Sequence, residues 1–340
     1  MMKFIQHREC RKRVLLNGVL VILFWIVSFS SLSSAPLTPL KKASLIPLWT
    51  PQSQFAGYYV ALDKGIYARH GIDLTILKGG VGRSPSEFLQ NGKADFAVLW
   101  LTTALQHRSA GLQLVHVAQI MPGSSMMLIS KKSSGIRKLQ DINGKRVGLW
   151  AGDLSTPPRT LFSKNRISVH EVPQSSTVNL FLRGGIDVTS AMWYNEYHVL
   201  LNSGVDADQL SVIFLQDYGM NFPEDGLYAL EKTVTKDPAL VNAFVDASLE
   251  GWQYAFAHPD EALDIVIKYM RQTHVSTNRI HQKWMLERMK DLILSGRGRP
   301  FIGLLRKQDY EAVGSMMKDE GLIQNYPDYA TFTWRYNAGK

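Results

Sequence analysis

The chain has 340 residues, 45% of them hydrophobic and 20% charged, which is ordinary globular composition and enough for a large core or two lobes. Residues 1–35 carry a net charge of +4, so the net charge falls from +9 to +5 when they are set aside. The remaining basic residues are scattered rather than clustered, and a nucleic-acid partner is therefore not expected.

The first 35 residues have the pattern of a secretory signal peptide. A basic stretch precedes the apolar run 14–27, and the small residues 28–35 follow it. The apolar run is a little short for a transmembrane helix. We predict that residues 1–35 are removed and that the protein is periplasmic. The alternative is an uncleaved leader that tethers the chain to the membrane, because Pro36 directly after the predicted cleavage site hinders signal peptidases.

Cysteine usage limits the chemistry of the exported part. The single cysteine, Cys10, lies within the predicted leader. The exported part therefore has neither disulfide bonds nor a thiol nucleophile.

From residue 43 onward, short apolar runs alternate with helical patterns, which is the order that builds parallel sheets. A helix is predicted from Phe55 to His70, and another begins at Ser84 with a capping residue, a proline and a glutamate. From Asp237 to Gly321 the pattern is almost wholly helical. The predicted strands are Leu45–Trp49, Asp73–Leu77, Asp95–Trp100, Leu114–Ala118, Met126–Ser130, Arg146–Trp150, Val188–Trp193 and Leu210–Leu215.

Two segments are predicted to cross between two α/β lobes. They are residues 130–135 and the Gly-, Asn- and Pro-containing segment 218–226. Lobe one would then comprise 44–130 plus 225–330, and lobe two 131–224. Ligands of open α/β sheets bind outside the carboxyl ends of the strands, so the cleft between the lobes is the expected site.

Four tryptophans share one placement: Trp49, Trp100, Trp150 and Trp193 each stand at the carboxyl end of a predicted strand, two in each lobe. A tryptophan offers a flat apolar face and one N–H donor, which suits a planar ring. Each one alone is also explained as a residue that covers the core at a strand end. For the four together we expect at least two to contact ligand.

The segment Tyr194, Asn195 and Glu196 follows the last of these strands and opens a helix. Glu196 is predicted either to accept a hydrogen bond from a ligand amine or to be a first-turn acid favoured by the helix dipole. The full set of predicted ligand-binding residues is Trp49, Tyr58, Trp100, Trp150, Trp193, Tyr194, Asn195 and Glu196.

Motifs for catalysis, metals and cofactors are missing. The sequence contains no Walker phosphate loop, no His-Glu-x-x-His and no Gly-x-Ser-x-Gly, and its nine histidines are scattered. We therefore predict a binding protein without catalytic residues, metal or cofactor.

Several blocks carry a family resemblance. They are residues 49–52, 55–67, 70–74, 91–96, 139–145 and 185–187, beginning with Trp-Thr-Pro-Gln and Phe-Ala-Gly-Tyr-Tyr. Together they resemble the thiamine-pyrimidine branch of the type II periplasmic binding proteins, over about residues 45–330. The resemblance implies a two-lobed type II fold with a ligand cleft between the lobes and a helical C-terminal portion.

The resemblance also implies a function: an extracytoplasmic binding subunit of an ABC importer, expected as a monomer that delivers its ligand to an inner-membrane permease. A planar heterocycle such as an aminopyrimidine is the favoured ligand, followed by a flavin, then a sulfonate. The family's fungal synthase needs a lysine and a histidine where this chain has Leu99 and Thr103, so the synthase activity is not expected. The alternative function is a ligand-sensing subunit for a separate membrane-bound partner.

Overall fold

The computed structural model describes residues 39–276, 278–294 and 302–334, and the predicted leader lies outside them. Two mixed five-stranded sheets organise this part of the chain. The first sheet has the order β2-β1-β3-β10-β4 and the second β7-β6-β8-β5-β9. The strands are β1 Lys41–Ile46, β2 Ile72–Ile76, β3 Phe96–Leu99, β4 Leu114–Gln119, β5 Met126–Lys131, β6 Arg146–Leu149, β7 His170–Pro173, β8 Val188–Met192, β9 Leu210–Phe214 and β10 Gly226–Leu230.

The eight predicted strands are all present, but the sheets are not wholly parallel. In each sheet the parallel strands are joined by one strand that runs the other way: β10 is antiparallel to β3 and β4, and β5 is antiparallel to β8 and β9. The β3 strand is buried along its whole length, as its continuous apolar sequence predicts.

The chain crosses between the sheets at two places. The second crossing joins β9 to β10 over residues 215–225 and overlaps the predicted 218–226. The first crossing, predicted at 130–135, is wrong: residues 120–125 make it, because β5 pairs with β8 and β9 of the second sheet. The apolar run of β5 favours a strand without indicating which sheet receives it.

The helices α1 to α13 alternate with the strands and then dominate the C-terminal portion, as predicted. The helix predicted over 55–70 is divided at Gly65, which has a left-handed φ of 64°. The Ser84 side chain caps α3 by accepting from the Glu87 amide. The helices are α1 Ala56–Asp63, α2 Ile66–Arg69, α3 Pro85–Gln90, α4 Leu101–Ser109, α5 Thr156–Lys164, α6 Asn179–Leu182, α7 Glu196–Asn202, α8 Glu231–Lys236, α9 Pro238–Ala257, α10 Pro259–Gln272, α11 Arg279–Leu294, α12 Lys307–Asp319 and α13 Tyr329–Phe332.

The long helix α9 packs against α1 behind the first sheet. Trp252 is fully buried at this contact, and a Cβ atom on Gly57 would lie 2.3 Å from its ring, so a glycine is needed there. Phe244 stacks on Phe96 of β3, with ring centroids 3.8 Å apart. These contacts fix the first sheet and hence the residues at the carboxyl ends of its strands. Among residues 39–276, 278–294 and 302–334, none of the helices combines the length and hydropathy that crossing a membrane requires.

Candidate functional site

A pocket lies between the carboxyl ends of β1 and β3 in the first sheet and those of β6 and β8 in the second. It has a volume of about 40 Å³, the space of roughly one or two water molecules. Binding a ring therefore requires the walls to move apart, as two sheets joined by two crossing segments allow. The residues that line the pocket are Leu48, Trp49, Gln52, Gln54, Trp100, Trp150, Leu154, Met192, Tyr194, Asn195 and Glu196.

The structure brings together six of the eight predicted ligand-binding residues at this pocket: Trp49, Trp100, Trp150, Tyr194, Asn195 and Glu196. They reach it from four loops, each of which follows a strand. The local pattern that places them is shared, because a chain leaving a buried strand turns at the sheet edge before its next helix. The other two predicted residues, Tyr58 and Trp193, lie elsewhere.

Three tryptophans form the aromatic walls. Trp49 is half-buried, whereas Trp100 and Trp150 are buried. Trp100 directly follows β3 and occupies the N-cap position of α4. Its indole Nε1 donates to Asp225 Oδ1 over 3.2 Å, so the ring is held in place from behind. The arrangement offers flat apolar faces from both sheets.

Glu196 supplies the pocket's acidic group. It is the first residue of α7 and is 7% exposed. Its Oε2 accepts from the Met192 amide at 2.9 Å and its Oε1 from Asn195 Nδ2 at 2.8 Å. Burial raises the pKa of this carboxyl to about 7, against the hydrogen bonds that lower it. The group is therefore poised to accept or share a proton near neutral pH.

The expectation that Tyr58 contacts ligand is corrected by the structure. Tyr58 is 1% exposed and packs edge-on against Trp252, with ring centroids 5.8 Å apart, inside the core behind the pocket. The helical pattern correctly placed Tyr58 on the buried face of α1. That face meets α9 rather than the cleft.

Trp193 is also displaced from the pocket. Arg288 lies 5.1 Å above its ring, and its carbonyl accepts from Trp284 Nε1 over 3.2 Å. Trp284 in turn stacks on His198, with centroids 4.8 Å apart, and His198 stacks on His281. We call Trp193, His198, His281, Trp284 and Arg288 the bridging cluster, because it joins α11 to α7 and to the end of β8.

The bridging cluster links the two sheets. On one side α11 is tied to the first sheet's loops, since Gln282 Oε1 accepts from the Ser53 amide at 2.7 Å. On the other, His281 Nε2 lies 3.0 Å from Asn195 Oδ1, beside Glu196. Burial, and then the charge of His198, lower the pKa of His281 to about 4. The histidines are therefore neutral at pH 7, and protonating both would place two like charges side by side.

Sequence reasoning missed part of the pocket. Gln52 lies within the resembling block 49–52, so a signal for it existed, but glutamine carried no chemical argument there. Gln54 and Leu154 had no such signal. The buried carboxylates Glu224 and Asp225 were read only as acidic residues of a crossing segment.

Metal-binding groups were also sought. Within residues 39–276, 278–294 and 302–334, no three or more His, Cys, Asp or Glu side chains are arranged to hold a metal ion.

Two α/β sheets joined by two crossings, with a pocket between their strand ends and a helical C-terminal portion, define the type II periplasmic-binding-protein fold. Solved structures share it. The periplasmic aliphatic sulphonate binding protein SsuA from Escherichia coli matches with a TM-score of 0.68 and 14% identity, covering 89% of this chain and 94% of that one. An alkanesulfonate-binding SsuA from Xanthomonas axonopodis bound to MOPS matches with a TM-score of 0.64 and 14% identity, covering 87% of this chain and 99% of that one.

The family model described as NMT1/THI5 like matches residues 52–262, and the chain belongs to this family. The riboflavin-binding protein RibY of Chloroflexus aurantiacus is 25% identical over 81% of this chain and 83% of its own length. The formylaminopyrimidine-binding protein of Halalkalibacterium halodurans is 23% identical over 74% of this chain and 77% of its own. A 4-amino-5-hydroxymethyl-2-methylpyrimidine phosphate synthase of Legionella pneumophila is 22% identical over 66% of this chain and 72% of its own.

Proposed function

We propose that this chain is the extracytoplasmic solute-binding subunit of an ABC importer and that it captures a planar, nitrogen-rich heterocycle such as a thiamine-precursor aminopyrimidine. The observation that carries the proposal is the pocket itself. Tryptophan faces from both sheets surround one buried carboxyl, and none of the described lining residues is a lysine or arginine.

The aromatic walls favour a flat ligand. Stacking on an aromatic side chain contributes about 1–3 kcal/mol per base-like ring. Trp49 and Trp100 follow strands of the first sheet, whereas Trp150 follows a strand of the second. A ring held between them would stabilise the closed arrangement of the two sheets, because both halves gain a contact only when closed.

The polar groups favour a ligand that donates hydrogen bonds. A ligand amine or ring N–H would be a partner for Glu196, and a hydrogen bond to a charged group contributes about 1.5–3 kcal/mol. A sulfonate would instead place its charge beside Glu196, with none of the described lining residues cationic to offset it. The pocket thus supports an amine-bearing ring over an anion.

The relatives support the same class of ligand. Two of them bind, by their names, a formylaminopyrimidine and riboflavin, both planar nitrogen heterocycles. The relatives also include a synthase, but Leu99 and Thr103 of this chain offer neither an amine nor an imidazole for that chemistry. We therefore assign binding rather than catalysis to the pocket.

The export and the partner belong to the same proposal. The leader pattern of residues 1–35 supports a periplasmic location, and an ABC permease in the inner membrane would receive the ligand. Lobe one would comprise the first sheet with the C-terminal helices, and lobe two the second sheet, with residues 120–125 and 215–225 as the crossings.

A thermal-shift panel tests the proposal. The purified protein is melted with 4-amino-5-hydroxymethyl-2-methylpyrimidine, with riboflavin and with MOPS, each over a concentration series. A ligand at a hundred times its Kd stabilises the folded state by about 2.7 kcal/mol. We expect the aminopyrimidine to raise the Tm most and MOPS not to raise it. A Tm that rises with MOPS alone would contradict the proposed ligand class.

A further inference from the structure

Three side chains form a hydrogen-bonded relay along the polar wall of the pocket. Gln54 Nε2 donates to Asp225 Oδ2 at 2.8 Å, and Gln52 Nε2 donates to Gln54 Oε1 at 2.7 Å. Gln52 and Gln54 line the pocket, whereas Asp225 is 2% exposed behind them. Asp225 also accepts from Trp100, through its other oxygen.

The carboxylate sets the direction of the whole relay. Burial raises the pKa of Asp225 to about 6, so the group is mostly ionised at pH 7 and can only accept hydrogen bonds. Gln54 must therefore turn its NH₂ toward Asp225 and its carbonyl toward Gln52. The NH₂ of Gln52 is then used on Gln54. The Gln52 carbonyl oxygen Oε1 is left without a hydrogen-bond partner among the side chains and backbone that the structure describes.

We propose that Asp225, acting through Gln54, fixes Gln52 Oε1 as a hydrogen-bond acceptor in the pocket and so selects ligands that present an N–H donor there. The inference rests on the proposed function and narrows its ligand class. An aminopyrimidine has an exocyclic amine and riboflavin has a ring imide N–H, whereas a sulfonate has acceptors alone. Asp225 is in this account a positioning residue, because Gln54 stands between it and Gln52.

A single substitution should reverse the relay. In Asp225→Asn the Trp100 N–H still requires an acceptor, so the amide oxygen faces Trp100 and the NH₂ faces Gln54. Gln54 then accepts from residue 225 and donates to Gln52, whose own NH₂ is released into the pocket. The variant keeps the volume of the side chain but replaces an acceptor with a donor at the ligand.

The experiment compares matched probes by calorimetry on protein purified from cells expressing the full chain. The probes are 4-amino-2-methylpyrimidine, which carries the donor, and 4-methoxy-2-methylpyrimidine, which lacks it. We expect the wild type to prefer the amino probe by about tenfold or more, as an unpaired buried acceptor predicts. In Asp225→Asn the preference should vanish or reverse. Glu196 is unchanged in this variant, so its share of the preference is the same in both proteins.

Glu224→Gln is the matched control. Glu224 is the neighbouring carboxyl and equally buried, but it accepts from Ser124 and Ser125 rather than from the relay. It should keep the wild-type preference. Gln52→Met is the second variant, which removes the acceptor without altering Asp225, and its preference should also be lost. If Asp225→Asn fails to fold, the Gln52→Met result decides.

The remaining outcomes separate the two proposals. A wild-type preference retained in Asp225→Asn, or in Gln52→Met when that variant decides, overturns the relay and leaves the ligand class standing. If riboflavin binds and neither pyrimidine does, the pyrimidine assignment fails. The relay is then tested by the loss of affinity for N3-methylriboflavin and its recovery in Asp225→Asn. Binding of MOPS alone, or of none of these probes, overturns both.

Discussion

The pocket walls and the bridging cluster are both built from aromatic side chains near strand ends, yet they differ in what they contact. Trp49, Trp100 and Trp150 line the cavity. Trp193 follows β8 in the same way but is covered by Arg288 and α11. The difference teaches that a tryptophan at a strand end marks the edge of the sheet and not the ligand. The helix that packs over that edge decides whether the ring meets a ligand or the other half of the protein.

The contrast has a consequence for binding energetics. A residue in the pocket acts on affinity through its contact with a particular ligand, so its effect depends on the ligand. A residue in the bridging cluster acts through the equilibrium between open and closed forms, so its effect is the same for every ligand that requires closure. The following variants separate these behaviours.

The largest effect is expected for Glu196→Gln. The variant should weaken binding of an amine-bearing pyrimidine by about 1.5–3 kcal/mol, because a hydrogen bond to a charged acceptor is lost. Calorimetry measures the change. Glu87→Gln is the control, since Glu87 is also a first-turn acid but is exposed on α3. Equal affinity of Glu196→Gln and wild type for the pyrimidine would reduce Glu196 to a helix-terminal acid.

Trp49→Ala should weaken binding of the same ring by about 1–3 kcal/mol through lost stacking, with little loss of fold because Trp49 is only half-buried. Titration calorimetry and a thermal melt read the two properties separately. Trp334→Ala provides the comparison: it removes another half-buried tryptophan, which donates to Asn242 and does not line the pocket. Similar losses of affinity in both variants would contradict a specific aromatic wall.

Trp284→Ala should have a smaller effect, about 0.5–1.5 kcal/mol, because it removes one aromatic stack of the bridging cluster and no ligand contact. The loss should be equal for an aminopyrimidine and for riboflavin, provided both bind. Small-angle scattering should show a more open average shape in the absence of ligand. A loss confined to one ligand would place Trp284 in the pocket's recognition instead.

The two regions should also respond oppositely to pH. Glu196 has a folded pKa of about 7, raised from 4.5 by burial, so the folded state holds the proton more tightly. Its contribution to stability is present below pH 4.5 and is lost as the pH rises through 7. His281 has a folded pKa of about 4, lowered from 6.5, so its contribution is lost as the pH falls from 6.5 to 4.

Melting temperatures from pH 4 to 8 measure these slopes. Relative to wild type, Glu196→Gln should become more stable as the pH rises, because the glutamine removes a group that destabilises when ionised. His281→Gln should become less stable relative to wild type as the pH rises, because it lacks the neutral histidine's growing advantage. Parallel curves for the two variants would refute the assigned pKa shifts.

The sequence predicted the strands well because each is a short apolar run between turn residues, as Phe96 to Leu99 illustrates. It predicted most of the pocket for the same reason, since the pocket residues follow those strands directly. It could not assign β5 to a sheet, because strand pairing depends on contacts distant in sequence. Trp193 and Tyr58 were misplaced for a related reason: α11 and α9, which cover them, lie far along the chain.

The most direct test of the account is a crystal structure of the protein with 4-amino-5-hydroxymethyl-2-methylpyrimidine. We predict the ring between the sheets, against Trp49 and Trp100, with its amine within hydrogen-bonding distance of Glu196 or Gln52 Oε1. Trp193 should remain covered by Arg288 and make no ligand contact. A ring bound against Trp193 and the bridging cluster, with the pocket side chains unmoved, would contradict the division between the two regions.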